Sequence, residues 1–362
     1  MRIKAIAGVI AAAGVVAAPI LTSSAPAQAV TSCSSSNHCY GENELEGYGS
    51  YPSAAGTDLK VLCLSVANRN TDFIDWEMWY LTDTPQVSYD TWVEEGMTAG
   101  TLQGGYVGFN WFWADNRPNG TYYEHYIRPA TTGNSTNVSV YYAGNSNDSV
   151  YLGGSQVGTS AGNGQGGLWA NAGAEATTPA VTVNGTANNF QYRTSSGWRW
   201  AVPDVYDNSG GLWAINASGA NLSANTGCGS SARAQAAQRK ASPMPSDTPQ
   251  IHQRLIGIGR RMATLTHDPS PASIRMTRST RQRAISVLSG DKVNSDPAVY
   301  VLEMKGTFSN PHQPPRHKRG HAPACHTLTV LVNAATGQVT DWGISNLSSS
   351  ALSQLGAVTV LS

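Results

Sequence analysis

Val138-Ser139-Val140-Tyr141-Tyr142-Ala143-Gly144-Asn145-Ser146-Asn147-Asp148-Ser149-Val150-Tyr151-Leu152 is the stretch on which the fold turns. Two runs of β-branched and aromatic residues suit a pleated surface, and the residues between them tolerate positive φ, so the segment predicts a β-hairpin. Phe190-Gln191-Tyr192 and Trp198-Arg199-Trp200 repeat the pattern about Ser195-Ser196-Gly197. Short Val, Tyr, Trp, Phe and Thr runs separated by Gly, Asn and Ser recur from Leu59 to Trp213 without a sustained 3.6-residue period. Helix is therefore expected to be scarce, and the region is expected to be mainly β, as an antiparallel sandwich or jelly roll.

Composition changes beyond this region. Residues 30–230 carry 17 acidic against 6 basic side chains and nine of the ten tryptophans; residues 231–362 carry 6 acidic against 15 basic. The change predicts an acidic, aromatic domain over 30–230, a linker over 231–250 and a basic domain over 251–362. Pro243, Pro245 and Pro249 favour an extended linker. In the last part Ile274 to Leu288, with Arg275, Arg278, Arg281 and Arg283, predicts an amphipathic helix with a basic face. Val299 to Met304, Leu328 to Val332 and Val339 to Gly343 predict strands, the last two joined by a turn at Asn333 to Gln338. The expectation is a small α+β domain.

Arg2 and Lys4, the apolar stretch Ala5 to Leu21 and Ala27-Gln28-Ala29 have the form of a signal peptide cleaved after residue 29. Export implies an oxidising setting for the cysteines at 33, 39, 63, 228 and 325. Four of them admit three pairings. Cys33 and Cys39 are near neighbours, and Cys63 and Cys228 stand near the ends of the aromatic region. That pairing is preferred, with Cys325 left over.

Trp92-Val93-Glu94-Glu95-Gly96, Leu102-Gln103-Gly104-Gly105 and Tyr122-Tyr123-Glu124-His125-Tyr126 resemble the motifs of the secreted glutamic peptidases over roughly residues 92–175. The resemblance implies a concanavalin-like β-sandwich. It makes Gln103 the match of the family's catalytic Gln, which steadies the developing oxyanion, and places the catalytic Glu near Glu175. The family has a second Glu in that strand; here Ala176, Thr177 and Thr178 follow. The final hairpin, Val332 to Val339, resembles that of PepSY or cystatin-like domains, small modules often joined to hydrolases.

Catalytic candidates are Gln103, Glu175, Glu95 and Glu124, with Glu94 beside them. Carboxyls among apolar residues have raised pKa values, and two that meet can activate water. If extended, 92–96 points Glu94 and Glu95 to opposite faces, so one of them is expected on the solvated surface, and Glu124 and His125 likewise diverge. Trp111 with Trp113, and Trp198 with Trp200, are candidate ligand-binding platforms, because aromatic pairs on one strand face stack on sugar rings or fill cores. Asp115 to Gly120 reads as a turn. His312, His317, His321, Cys325 and His326 are metal-ligand types, but Arg316, Lys318 and Arg319 among them repel a cation. The expectation is a solvated basic loop over 310–323, with no metal and no cofactor.

These observations suggest a secreted recognition module whose sandwich binds an extracellular polymer, such as a glycan, or a cell-envelope component. The basic domain would dock on the acidic one. The alternative is a glutamic-peptidase-like hydrolase with an inhibitory C-terminal domain, and a third reading is an envelope structural protein. Nucleic acid is excluded as a partner, because the basic half has few aromatics, and no span crosses a membrane after cleavage.

Overall fold

The structure, a computed structural model, describes residues 33–34, 37–45, 52–82, 84, 86–100, 109–164, 166–202, 204–228, 248–312, 320–348 and 350–362. The signal peptide, Gln103 with its Leu-Gln-Gly-Gly motif, most of the linker and His317 lie outside them. The first half comprises β1 (Cys39–Leu45), β2 (Ala54–Val66), β3 (Phe73–Thr82), β4 (Thr91–Gly100), β5 (Phe109–Asn116), β6 (Tyr122–Pro129), β7 (Thr136–Gly144) and β8 (Asn147–Leu152). It continues with β9 (Ser155–Ala161), β10 (Gly167–Ala176), β11 (Val181–Thr194), β12 (Gly197–Trp200), β13 (Asp204–Asp207), β14 (Ala214–Ser218) and β15 (Asn221–Asn225). The second half adds α1 (Pro249–Leu265), β16 (Ser273–Thr280), α2 (Arg281–Leu288), β17 (Lys292–Val293), β18 (Ala298–Phe308), β19 (Cys325–Asn333), β20 (Val339–Ser345), α3 (Ser350–Ser353) and β21 (Thr359–Val360).

Both predicted hairpins form. β7 and β8 join through Asn145 and Ser146, at φ 54° and 61°, the double positive φ of a turn whose twist matches its strands. β11 and β12 join through Ser195 and Ser196. The strands make two antiparallel sheets. The larger has the order β13-β1-β10-β3-β4-β5-β6-β20-β19-β18-β16-β21, and the smaller β14-β15-β11-β2-β7-β8-β9-β17 with β12 on β11. Between them lies a core in which Trp76, Met78, Tyr80, Trp111 and Trp113 face Leu59, Val61, Val138, Val140 and Val183. The fold is thus mainly β, a β-sandwich. Cys33 is bonded to Cys39 and Cys63 to Cys228, while Cys325 is free and buried.

Two elements differ from expectation. Ile274 to Leu288 is not one helix: Ser273–Thr280 is a strand, and the helix starts only at Arg281. Ile274 and Met276 alternate with less buried residues, a period of two that pairs them with β18, and β-branched Thr277 and Thr280 fit a strand better than a helix. Conversely, α1 is a helix that no expectation from sequence covers. Thr248 caps it, accepting from the amide of Ile251, and Pro249 occupies its first turn. Ile251, Leu255, Ile258 and Met262 bury one face against Met276, Leu302, Met304 and Val330. Each such side chain is worth roughly 1.5–3 kcal/mol when fully buried.

The second half is joined to both sheets, since β20 pairs with β6 and β17 with β9. A buried ionic network crosses this seam. His125 places Nδ1 3.0 Å from Asp341 Oδ1 and Nε2 3.2 Å from Asp291 Oδ2. Arg281 donates to both Asp341 oxygens at 2.7 and 2.8 Å and to the Tyr126 carbonyl at 2.6 Å. Arg117 bridges Asp115 and Asp291 and lies over the Tyr123 ring. Burial works against the charged imidazole, yet the hydrogen bonds and charges of Asp291 and Asp341 hold His125 up at about 9. Burial likewise opposes ionised Asp341, but Arg281 and His125 hold it down at about 2.

Candidate active site: an acidic face of the larger sheet

Strand register assembles the site. Tyr40, Glu175, Asp75, Thr98 and Asn110 stand in one cross-strand row on β1, β10, β3, β4 and β5. Glu42, Gly173, Glu77, Gly96 and Phe112 form the next. Trp79, Glu94, Ala114, Glu124 and Trp342 form the third, which runs into β20. Rows two residues apart share a face, so these six carboxyls look the same way, away from the inter-sheet core, and Glu44, which continues the third row through Asn171, joins them. All are buried. The glycines leave room for them: a Cβ on Gly96 would stand 2.2 Å from that of Glu77, and one on Gly173 2.7 Å from Cα of Glu42.

The polar contacts fix each carboxyl differently. Glu175 Oε1 accepts from the Tyr40 hydroxyl at 3.1 Å and contacts His38 Nδ1, while Oε2 has no partner among the described residues. His38 is held in turn, because Asn208 donates to its carbonyl and accepts from the Tyr40 amide, and the Cys33–Cys39 disulfide closes the segment around it. Glu94 accepts from Trp92 Nε1 at 2.9 Å and from the Tyr122 hydroxyl at 3.1 Å. Glu42 accepts from Asn171 at 3.0 Å. Neither oxygen of Asp75 or Glu77 has a hydrogen-bond partner among the described residues.

Burial pushes Glu42, Asp75, Glu77 and Glu94 well above the ordinary carboxylate range, and their acidic neighbours add to it. Burial raises Glu124 to about 8. Burial of this kind favours the protonated form of these carboxyls, which can donate protons, and Glu175 stands beside them with Oε1 held by Tyr40 and His38.

The second half covers this face. His312 lies between the rings of Phe73, 4.6 Å away, and Tyr122, 5.4 Å away, with Nε2 4.0 Å from Glu124 Oε2. Trp342 meets Tyr122 at 5.1 Å. His312 is 1% exposed, so it does not belong to the solvated basic loop expected at 310–323. Aromatic stacking and loss of hydration override the local charge pattern here.

Of the sequence candidates, Glu94, Glu124 and Glu175 share the face. Glu95 does not: it points into the space between the sheets, fully buried, where burial raises its pKa. The surface group expected of the Glu94–Glu95 pair is therefore absent. Trp111 and Trp113 are core residues, Trp113 packing against His125 at 4.1 Å, so they present no ring to a ligand. Trp198 and Trp200, 39% and 60% exposed, are the two of the four that reach solvent. Sequence reasoning missed Glu42, Asp75, Glu77, His38 and Tyr40. Its available signal was the alternation of Asp75, Glu77 and Trp79 with Ile74, Trp76 and Met78, a two-faced strand with acids on one side.

No protein-family model and no curated protein sequence matches the chain. Among solved structures it is similar to scytalido-glutamic peptidase with a peptide-based transition-state analogue, at 14% identity and a TM-score of 0.38, over 52% of this chain and 97% of that one. It is also similar to SCP-B, a member of the eqolisin family of peptidases in complex with the tripeptide Ala-Ile-His, at 13% identity and a TM-score of 0.36 over the same shares. The likeness of the last hairpin to PepSY and cystatin-like domains finds no support in these comparisons.

Proposed function

We propose that the chain is a secreted, glutamic-peptidase-like acid hydrolase in a latent form, its carboxyl face covered by its own C-terminal half. The observation that carries the reading is the cross-strand pairing of Glu175 with Asp75 on a buried, carboxyl-lined face. Glu175, oriented by Tyr40 and His38, accepts a proton from water as it attacks an amide carbonyl, and protonated Asp75 is placed to return one to the leaving group. Gln103, on the motif resemblance, steadies the oxyanion. His312 and Trp342 stand where substrate would lie, which makes the C-terminal half inhibitory.

The full chain, nicked within 231–249, opened with mild denaturant to release the C-terminal piece and assayed on an acid-denatured protein between pH 2 and 7, is expected to cleave at the acidic end. Glu175→Gln should lower the rate by about 10²–10⁴-fold. Absence of cleavage across that range by the nicked chain, or full activity in Glu175→Gln, refutes the assignment.

A further inference from the structure

We propose that Asp75, Glu175 and His312 form a binding site for a divalent transition-metal ion of the Zn²⁺ class. The site shares Asp75 and Glu175 with the proposed catalytic pair, but it rests on their contacts with His312 and not on the hydrolase reading. One ligand atom from each residue lies within 4.8 Å of the others, and all three residues are buried. They come from β3, from β10 and from the segment after β18, so the chain has closed a long loop to bring them together.

Their hydrogen bonding marks the site as built for a guest. Both Asp75 oxygens, Glu175 Oε2 and both ring nitrogens of His312 lack a hydrogen-bond partner among the described residues. Buried polar atoms are ordinarily satisfied, and a cluster that sets one ligand atom from each of three residues within 4.8 Å of the others calls for a shared partner. A cation suits them better than water, since Glu77 and Glu94 crowd the same face and no described lysine or arginine pairs with Asp75 or Glu175.

The donor set selects the ion. One imidazole and two carboxylates fit Zn²⁺ and its neighbours, whereas Ca²⁺ and Mg²⁺ favour all-oxygen shells. Ligand bonds of about 2.0–2.2 Å require only a small closure of the present spacing. Supporting contacts of the kind found at metal centres are in place: His38 and Tyr40 hold Oε1 of Glu175, while Phe73 and Tyr122 fix the plane of the His312 ring. A cavity of about 360 Å³, lined in part by Phe73, Thr177, Pro311 and Trp342, borders the site on the α1 side. A bound ion would tie His312 to the sandwich and hold the cover on the acidic face.

The test uses the full-length protein, stripped with a chelator and titrated with Zn²⁺ alone by calorimetry near pH 7. One equivalent should bind and raise the Tm; His312→Ala and Asp75→Asn should each weaken binding by at least about tenfold, and exposed His326→Ala should not. X-ray absorption on the Zn²⁺-loaded parent needs no variant and should show one imidazole with oxygen donors. No binding by the parent, undiminished binding in His312→Ala, a thiolate in the shell, or preference for Ca²⁺ overturns the site. Because the readout is binding, its failure leaves hydrolysis untouched, and a failed peptidase assay leaves the site untouched.

Discussion

Asp341→Asn is the sharpest probe of the seam between the two halves. The carboxylate lies between Arg281 and His125 and is almost wholly buried, so the variant leaves a guanidinium and an imidazolium facing each other through a neutral amide. Holding Asp341 at about 2 against an ordinary 3.8 corresponds to about 2 kcal/mol, and holding His125 at about 9 against 6.5 to about 3 kcal/mol. The two figures view overlapping contacts from opposite sides and do not add. Breaking a buried pair from one side typically costs about 3–5 kcal/mol; about 3 kcal/mol is the expected loss, or a fall in Tm on the order of 6–12 °C.

The pH dependence has a definite sign. Asp341 is depressed in the folded state, so its contribution is complete above its unfolded value near 3.8 and disappears as pH falls through about 2. His125 is raised, so its contribution is complete below 6.5 and disappears as pH rises through about 9. The seam is therefore tightest between about pH 4 and 6.5. Urea denaturation followed by tryptophan fluorescence at pH 5.5 and 9.5 measures both effects. In the variant the alkaline loss should begin at lower pH. A variant that unfolds at the parent's urea midpoint at pH 5.5, or a parent equally stable at both pH values, refutes the ionic account.

Other outcomes follow from packing and covalent geometry. Trp113→Ala should destabilise by about 3–5 kcal/mol, whereas Trp200→Ala, 60% exposed, should stay within about 0.5 kcal/mol; equal effects in thermal melts would contradict the core described above. Gly158→Ala places a Cβ 2.5 Å from the Trp113 ring and should cost about 1–3 kcal/mol in urea titrations, a loss that Gly154→Ala cannot share through crowding, since it meets nothing within 4 Å. Cys63→Ser with Cys228→Ser opens a loop of 165 residues and should destabilise by about 5 kcal/mol. Iodoacetamide should label Cys325 only under denaturing conditions, because the thiol is fully buried and burial pushes it up to about 11.

The fold was legible where local chemistry and tertiary packing agree. Asn145-Ser146 and Ser195-Ser196 mark their hairpins because turn geometry is set by adjacent residues, and β18, β19 and β20 appear as the apolar runs they are. Ile274 to Leu288 misled because spaced arginines imitate a helical face; what decides its strand is the partner β18, some two dozen residues further on. The carboxyl face was half legible. Glu94, Glu124 and Glu175 stand out as acids among aromatics, but which of them meet depends on register across five strands, invisible in any single stretch. Glu95 shows the limit: its neighbour reaches the acidic face, and the two-residue period turns it away. His312 was concealed by Arg316, Lys318 and Arg319, whose charges say nothing about a ring stacked on Phe73 and Tyr122.

The way β20 and β17 each claim one margin of the sandwich bears on any maturation of the chain. Cutting the polypeptide before α1 would leave the pieces clasped through main-chain ladders on both layers. Stripping the tail away would bare two unpaired rows of amides and carbonyls, sticky templates for any passing strand. The chain is thus committed to a partner at those borders: its own tail, a tail lent by another molecule, or a pile-up of fragments.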